Sequence, residues 1–249
     1  MVKKLQRRNL FPDAMPIIWL DENSIEFPPV RLADPEGLLA AGGDLSVARL
    51  TEAYRNGIFP WYGPDTPILW WSTNPRCVLF PEKLHVPASL KKIIRSQKFS
   101  FSVNKCFAKV MLHCAAAKRP DQQGTWITQD MFEAYVAMHR AGKAHSVEVW
   151  QDGKLAGGLY GVAIGRAFFG ESMFYLRPDA SKAAIAWLVP RLGELGFPLI
   201  DCQQETPHMM RFGAELVDRA LFLKIISSAV DREDAVDFWH SQVQLVQPL

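Results

Sequence analysis

The chain has 249 residues, of which 49% are hydrophobic and 22% charged, and its formal net charge is +2. This composition is typical of a globular protein with a hydrophobic core, and it excludes a disordered chain. No segment reaches the roughly 20 unbroken apolar residues of a membrane span, and Asp13 and Pro16 interrupt the N-terminal run too early for a signal peptide. We therefore expect a cytoplasmic protein without a membrane partner.

Residues 1–75 are rich in Pro, Gly and Trp and predict a small N-terminal domain. Its one clear helix is SVARLTEAYRNG, which Asp44 or Ser46 is placed to cap and Gly57 to end. The stretch that follows, GIFPWYGPDTPILWWST, contains three prolines, which exclude a regular helix or a central strand. We interpret it as a stiff loop that holds its tryptophans in position.

Residues 76–249 predict a second domain with an α+β order of elements. A short strand, RCVLFPE, precedes a basic helix and the strand KFSFSV, and the next helix is capped at Thr128. Period-two runs around the turns at 152–153 and 164–165 then indicate an antiparallel meander. A helix in which Pro190 predicts a kink or early break leads to the strand PLIDCQQ, and we interpret the end of the chain as a surface segment.

A basic segment without Asp or Glu runs from Lys83 to Pro120. Unpaired positive charge interleaved with aromatic residues is typical of a surface that faces a polyanion, although a solvated helix face is the alternative. We favour a nucleic-acid partner. The charges are Lys83, Lys91, Lys92, Arg95, Lys98, Lys105, Lys109, Lys118 and Arg119.

The four cysteines have no CxxC spacing, and no histidine pair stands near them in a zinc-binding pattern. We therefore expect reduced, mostly buried thiols, and neither a metal nor a cofactor.

Polar side chains follow two apolar strands and form candidate sites. Glu171 lies in FFGESMF, and Asp201 and Gln203 are two apart in LIDCQ, so that both point to one side of a strand. A carboxylate and an amide placed in this way can orient a polar substrate. Structural hydrogen bonding of buried groups is the alternative interpretation.

The helix after the meander carries Ile185, Leu188 and Leu192 on one face. If this face meets Phe168 and Ile200, it lines an apolar hole beside Asp201. Ordinary core packing explains the same pattern.

Several strings resemble the leucyl/phenylalanyl-tRNA–protein transferase family: GIFPW, LWWS, GTWIT, GESMF and LIDCQ, in a match from about residue 38 to residue 203. The resemblance implies a small N-terminal domain and, from about Arg76, a domain similar to the Gcn5-related N-acetyltransferases with a mixed, largely antiparallel sheet. It also implies a monomeric bacterial enzyme that moves Leu or Phe, and less readily Met, from aminoacyl-tRNA to the N-terminal Arg or Lys of proteins. The product is a substrate for N-end rule degradation.

The resemblance assigns roles to individual residues. Gln203 would accept a hydrogen bond from the attacking amine, Asp201 would orient it, and Glu171 would complete the polar rim. Trp61 and Trp126 would stack on the 3′-terminal adenosine, Trp70 and Trp71 would brace the two domains, and the basic segment would hold the acceptor stem. Tyr135 is a weaker candidate for the adenosine site. The donor side chain would enter a hole lined by Leu159, Phe168, Ile185, Leu188, Leu192 and Ile200.

Three alternatives remain open. A non-catalytic RNA-binding module would keep the basic segment, and a tRNA-dependent peptide ligase of cell-wall synthesis would differ in its acceptor. A CoA-dependent acetyltransferase is disfavoured, because SMFYLRPDASKAAI lacks the glycines that let backbone N–H groups approach a pyrophosphate.

Overall fold

The computed structural model describes residues 17–117 and 125–240. In these residues the chain forms a four-stranded sheet followed by a seven-stranded sheet. Among the helices of these ranges, none combines the length and the apolar character needed to cross a membrane.

The smaller sheet is built from residues before Arg76 and has the strand order β1-β2-β4-β3, with β1 parallel to β2 and the other pairs antiparallel. The predicted helix, α1, is confirmed: the Ser46 hydroxyl accepts from the Arg49 N–H at 3.2 Å as its N-cap, and Gly57 follows its end with φ +68°. The bounds are Ile18–Leu20 (β1), Leu38–Gly42 (β2), Val47–Arg55 (α1), Phe59–Pro60 (β3) and Leu69–Trp71 (β4), with a 3-10 turn at Val30–Leu32.

The loop rich in proline and tryptophan is more regular than its sequence predicts. β4 lies between β2 and β3, so part of this stretch is an interior strand and the prediction of a loop throughout is wrong. Pro67 lies just before β4 and therefore leaves the ladder N–H groups of that strand intact. Pro60 lies in β3, which is an edge strand and tolerates the missing donor.

The larger sheet has the order β11-β5-β10-β9-β8-β7-β6, and all its pairs are antiparallel except β9–β10. The expected α+β class with a mixed, largely antiparallel sheet is thereby confirmed. The strands are Arg76–Leu79 (β5), Ser100–Val103 (β6), Ala144–Gln151 (β7), Lys154–Ile164 (β8), Ala167–Tyr175 (β9), Ile200–Gln203 (β10) and Glu215–Val217 (β11). The helices are Ala88–Arg95 (α2), Phe107–Ala116 (α3), Gln129–Arg140 (α4), Ala180–Glu194 (α5), Pro207–Arg211 (α6), Arg219–Val230 (α7) and Val236–His240 (α8), with a 3-10 turn at Pro81–Lys83.

An early break at Pro190 and an end of the chain that lies only at the surface are both wrong, and tertiary packing is the reason in each case. α5 does not break at Pro190 but continues to Glu194, since its apolar residues are buried against the sheet. Residues 241–249 of the predicted surface segment lie outside the described residues, and the part before them is not only surface, because Trp239 is buried and stacks on His145 with ring centroids 4.2 Å apart. The predicted meander β7–β8–β9 is confirmed.

The two faces of the larger sheet carry separate hydrophobic cores, since neighbouring strand residues such as Phe168 and Phe169 point to opposite faces. The first core holds the buried hydrophobic residues of α1, α3, α4 and α7, together with Leu39, Phe59 and Trp70 of the smaller sheet. The second core holds those of α2, α5, α6 and α8.

The smaller sheet therefore shares its core with the larger one. Trp70 is fully buried in the first core, and its Nε1 donates to the Gly42 carbonyl at 2.9 Å. The domain boundary that we propose near residue 75 falls between β4 and β5, at the change from one sheet to the other.

Replacement of Gly165 tests how closely α7 docks on the β8–β9 turn. Gly165 has φ +57°, and an added Cβ would lie 2.4 Å from the Ala229 carbonyl oxygen at the end of α7. We expect Gly165→Ala to lower the free energy of unfolding by about 2–4 kcal/mol, from backbone strain and overpacking together, measured by chemical denaturation. Gly153→Ala is the control, because Gly153 has φ +69° and open space around it. Equal losses in the two variants would contradict close docking.

Candidate active site

The parallel strands β9 and β10 pair only over two positions, Ile200 with Phe168 and Asp201 with Phe169. Beyond these positions each strand carries an extra residue relative to its outer neighbour. Glu171 is the extra residue of β9 against β8, and Cys202 is that of β10 against β5. Such β-bulges end regular pairing and re-aim side chains. Here they place polar residues at the break between the two strands.

Four polar side chains meet at this break and form what we call the Glu171 cluster: Tyr54 from α1, Tyr135 from α4, Glu171 from β9 and Gln203 from β10. The Glu171 carboxylate accepts from the Tyr54 hydroxyl at 2.7 Å, the Tyr135 hydroxyl at 3.1 Å and Gln203 Nε2 at 2.8 Å. The two tyrosine hydroxyls also contact each other. One carboxylate thus gathers donors from three distant parts of the chain.

Burial raises the pKa of Glu171 to about 7, because the protein removes the water that would stabilise its charge. The hydrogen bonds from Tyr54, Tyr135 and Gln203 oppose this shift, and the nearby charge of Asp201 adds to it. Burial also raises the pKa values of Tyr54 and Tyr135 well above their ordinary range, and the Glu171 charge reinforces this. The tyrosines therefore remain donors, while Glu171 changes charge near neutral pH.

Asp201 lies behind the cluster and is fully buried. Its carboxylate accepts two parallel bonds from Arg76, from Nε at 2.8 Å and from Nη2 at 2.7 Å, and a third from the Gln203 backbone N–H at 2.9 Å. The bulge at Cys202 breaks the regular two-residue spacing that the sequence suggests, so Asp201 and Gln203 have different side-chain partners. Asp201 thus orients the backbone of Gln203, while the Gln203 side chain reaches Glu171.

The six residues expected to line an apolar hole are all buried members of the second core. α5 supplies three of them, and β8, β9 and β10 supply one each. The tyrosines of the Glu171 cluster belong to the first core, on the other face of the sheet. The break between β9 and β10 is therefore where polar and apolar candidates approach each other.

The candidate base-stacking residues differ in exposure. Trp61 is 39% exposed, and its carbonyl accepts from Trp71 Nε1 at 2.6 Å. Trp126 is only 8% exposed within the first core. The Tyr62 hydroxyl lies 3.4 Å from Thr128 Oγ1 and so joins the loops that carry the two tryptophans.

Tyr135 does not fit the stacking role suggested for it. Its ring has no exposed surface, and its hydroxyl is bound to Glu171. A fully buried ring has no free face for a base, whereas its hydroxyl stabilises a partly buried carboxylate. The structure therefore places Tyr135 among the polar residues of the Glu171 cluster.

The basic residues do not form one face. Lys91, Lys92 and Arg95 are exposed on α2, on the side of the second core, and Lys109 is exposed on α3, on the side of the first. Lys98 and Lys105 flank β6, the edge strand between these sides, and lie over the rings of Phe99 and Trp150 respectively. These six residues are therefore divided between the two faces of the larger sheet and its β6 edge.

Lys83 lies near the other edge of the sheet and has an acidic partner. Its Nζ donates to Glu215 of β11 at 2.8 Å, so the absence of acids nearby in sequence does not leave this charge unpaired in space. Lys118 and Arg119 lie outside the described residues.

Tyr54, Thr73 and Arg76 belong to this region but are not among the residues that the sequence singles out. The sequence could have indicated Tyr54, because this residue shares the apolar face of α1 with Leu50 and Ala53. A hydroxyl group buried on such a face needs a hydrogen-bond partner. Thr73 and Arg76 had no such indication in the sequence, since their partners are more than a hundred residues away. Within residues 17–117 and 125–240, no three His, Cys, Asp or Glu side chains are grouped to hold a metal ion.

Comparisons with known proteins agree on one family. Residues 78–227 match the family model described as leucyl/phenylalanyl-tRNA protein transferase, and residues 43–74 match the model of its N-terminal domain. Proteins named leucyl/phenylalanyl-tRNA–protein transferase are 58% identical in Oleidesulfovibrio alaskensis (83% of this chain and 85% of the relative) and 54% identical in Anaeromyxobacter sp. (86% and 92%).

Solved structures show weaker similarity. L-PGS from Bacillus licheniformis matches with a TM-score of 0.40 at 8% identity, over 64% of this chain and 65% of the other. A GCN5-related N-acetyltransferase from Kribbella flavida matches with a TM-score of 0.35 at 14% identity, over 64% and 56%. The assignment rests on the sequence relatives: the chain belongs to the leucyl/phenylalanyl-tRNA–protein transferase family.

Proposed function

We propose that this enzyme transfers Leu or Phe, and less readily Met, from aminoacyl-tRNA to proteins that begin with Arg or Lys, and so marks them for N-end rule degradation in the cytoplasm. The aminoacyltransferase activity follows from the family. The observation that carries the proposed site is the Glu171 cluster at the break between β9 and β10.

The reaction needs positioning more than strong acid–base chemistry. The acceptor nitrogen attacks the ester carbonyl carbon, the amide bond forms, and the ester oxygen leaves with the ribose. An α-amino group has a pKa of about 7.7–8.0, so part of it is neutral at cellular pH. Holding the two reactants in line can lower the activation free energy by up to about 7–11 kcal/mol.

Gln203 and Glu171 have different roles at the reacting amine: Gln203 orients it and Glu171 accepts its proton. Gln203 Nε2 is used by Glu171, which leaves the amide oxygen to accept a hydrogen bond from the amine and orient it. An amide is too weak a base to remove a proton. Glu171, whose pKa is about 7, suits a group that accepts the proton of the amine and returns it to the leaving oxygen.

The donor side chain enters between β9 and β10 toward the second core. Leu159, Phe168 and Ile200 of the sheet and Ile185, Leu188 and Leu192 of α5 are buried together there as part of the second core. An apolar site discriminates between side chains that differ by one methylene by only about 1–3 kcal/mol of binding free energy. Leu, Phe and Met are therefore accepted together, while shape excludes side chains branched at Cβ.

The tRNA end is held outside the sheet. Trp61 offers an exposed ring to the terminal adenosine, and Trp126 supports it from the adjoining loop through its remaining exposed edge. Lys91, Lys92, Arg95, Lys98, Lys105 and Lys109 hold acceptor-stem phosphates around the β6 edge, with Lys83 as a peripheral contact. Phosphate contacts carry no sequence information, which allows several tRNAs to bind.

Transfer of labelled leucine tests the reaction and the role of Gln203 together. We expect label to pass from Leu-tRNA to a peptide that begins with Arg, and not to a peptide that begins with Asp or from Val-tRNA. Gln203→Ala should lower kcat by about 10- to 100-fold, because the amine loses its orienting acceptor. The KM for Leu-tRNA should stay unchanged. Binding of tRNA without any transfer would leave only an RNA-binding module.

The pH profile tests Glu171. Because its pKa is raised to about 7, the carboxyl is protonated below that pH and can accept a proton only above it, so kcat should rise through about pH 7. The acceptor amine contributes a second rise near its own pKa. Glu171→Gln should remove the lower inflection and leave the upper one. A profile that keeps both would contradict the role of Glu171.

Removal of the Trp61 ring tests the stacking proposal. Stacking of a base on an aromatic ring contributes about 1–3 kcal/mol, so Trp61→Ala should weaken Leu-tRNA binding by about 5- to 150-fold, measured by filter binding at fixed salt. Trp19→Ala is the control, since Trp19 is similarly exposed but lies on β1, at the opposite edge of the smaller sheet. Equal weakening in both variants would contradict a specific platform.

A further inference from the structure

We infer that Arg76 and Thr73 are positioning residues that hold Gln203 in the conformation from which its side chain reaches Glu171. Thr73 lies between β4 and β5, Arg76 is the first residue of β5, and neither is hydrogen-bonded to the Glu171 carboxylate. The inference rests on the proposed role of Gln203.

Gln203 needs such support because its backbone is left-handed. Its φ is +57°, a region that is unfavourable for a residue with a Cβ. A non-glycine residue keeps this conformation only when its surroundings determine it. The Gln204 N–H donates to the Cys202 carbonyl at 2.7 Å, which closes a tight three-residue turn around Gln203. Because a turn of this hand is itself strained, it needs support from outside the turn.

Both backbone polar groups of Gln203 are held by side chains. Its N–H donates to Asp201 Oδ1 at 2.9 Å, and its carbonyl accepts from Thr73 Oγ1 at 3.1 Å. Two bonds at opposite ends of one residue restrict its rotation about φ and ψ. The Gln203 side chain is thereby directed toward Glu171.

Asp201 can serve as a fixed acceptor because Arg76 holds it. The guanidinium makes two parallel bonds to the carboxylate and is packed between two rings, with centroids 4.7 Å away in Phe59 and 4.6 Å away in Phe222. Phe59 belongs to β3 and Phe222 to α7. The position of Gln203 therefore depends, through Asp201 and Arg76, on how the smaller sheet and α7 pack.

Thr73 is fixed through its backbone. The Ser72 N–H donates to the Gly37 carbonyl at 2.7 Å, and a Cβ at Gly37 would lie 2.7 Å from the Thr73 Cα. Thr73 itself is buried. Its hydroxyl therefore approaches Gln203 from a rigid position.

Thr73→Val is the main test, because Arg76→Ala leaves the Asp201 carboxylate buried without its partner and so endangers folding. Valine keeps the shape of Thr73 and removes the donor. We expect kcat to fall by about 3- to 10-fold, the effect of one neutral hydrogen bond, with the KM for Leu-tRNA unchanged. Thr73→Ser should restore kcat. Thr51→Val is the matched control, since Thr51 also donates to a backbone carbonyl, that of Val47 at 2.7 Å, within α1.

A second background separates positioning from general destabilisation. In Gln203→Ala, Thr73→Val should lower kcat no further, because no amide remains to be positioned. Arg76→Lys keeps the charge but not the two parallel bonds. It should lower kcat in the otherwise unchanged protein and lower it no further in Gln203→Ala. Losses of kcat that add in the two backgrounds would overturn the inference.

NMR of the full chain measures the conformation of Gln203 independently of the transfer activity. The Cα and Cβ shifts of Gln203 report its positive φ, and we expect Thr73→Val to reduce that signature and to speed exchange of the Gln203 amide, with no change in Thr51→Val. Unchanged Gln203 shifts would overturn the inference. Altered shifts with unchanged kcat would support the positioning and refute the proposed role of Gln203 in transfer.

Discussion

The arrangement depends on one partly buried carboxylate, that of Glu171. A carboxylate removed from water must receive hydrogen bonds or lose its charge, and Glu171 receives them from Tyr54, Tyr135 and Gln203. These donors come from α1, α4 and β10, so satisfying one group requires two helices of the first core and the end of β10 to be in place together. The same partial stabilisation leaves its pKa at about 7, within the range where proton transfer is useful.

The Glu171 carboxylate lies where the pairing between β9 and β10 ends. Bulges at Glu171 and Cys202 end the pairing of the only parallel strands in the larger sheet of the described chain, and they do so beside each other. One face of the sheet there carries the polar cluster and the other carries the apolar residues of α5. A substrate with a charged amine and an apolar side chain requires both kinds of surroundings within a short distance.

A buried charge pair, Arg76 with Asp201, lies behind the Glu171 cluster. Arg76 and Asp201 have no exposed charge, and rings from β3 and α7 enclose the guanidinium. A buried pair of this kind adds little net stability but fixes geometry, because either charge alone would be strongly unfavourable. Through Phe59 and Asp201, this pair links the smaller sheet to β10.

The sequence by itself determined the local structure and the family. The Ser46 cap, the glycine turns of the meander and the apolar face of α5 follow from short-range rules, and motifs such as GIFPW and LIDCQ identify the relatives. It also named Glu171, Asp201 and Gln203, but not their partners. Only the tertiary structure decided that β4 is an interior strand, that Tyr135 and Tyr54 serve Glu171, and that Glu215 pairs with Lys83. These features depend on contacts between residues far apart in the chain and on bulges that shift register by one residue, and neither leaves a periodic trace in the sequence.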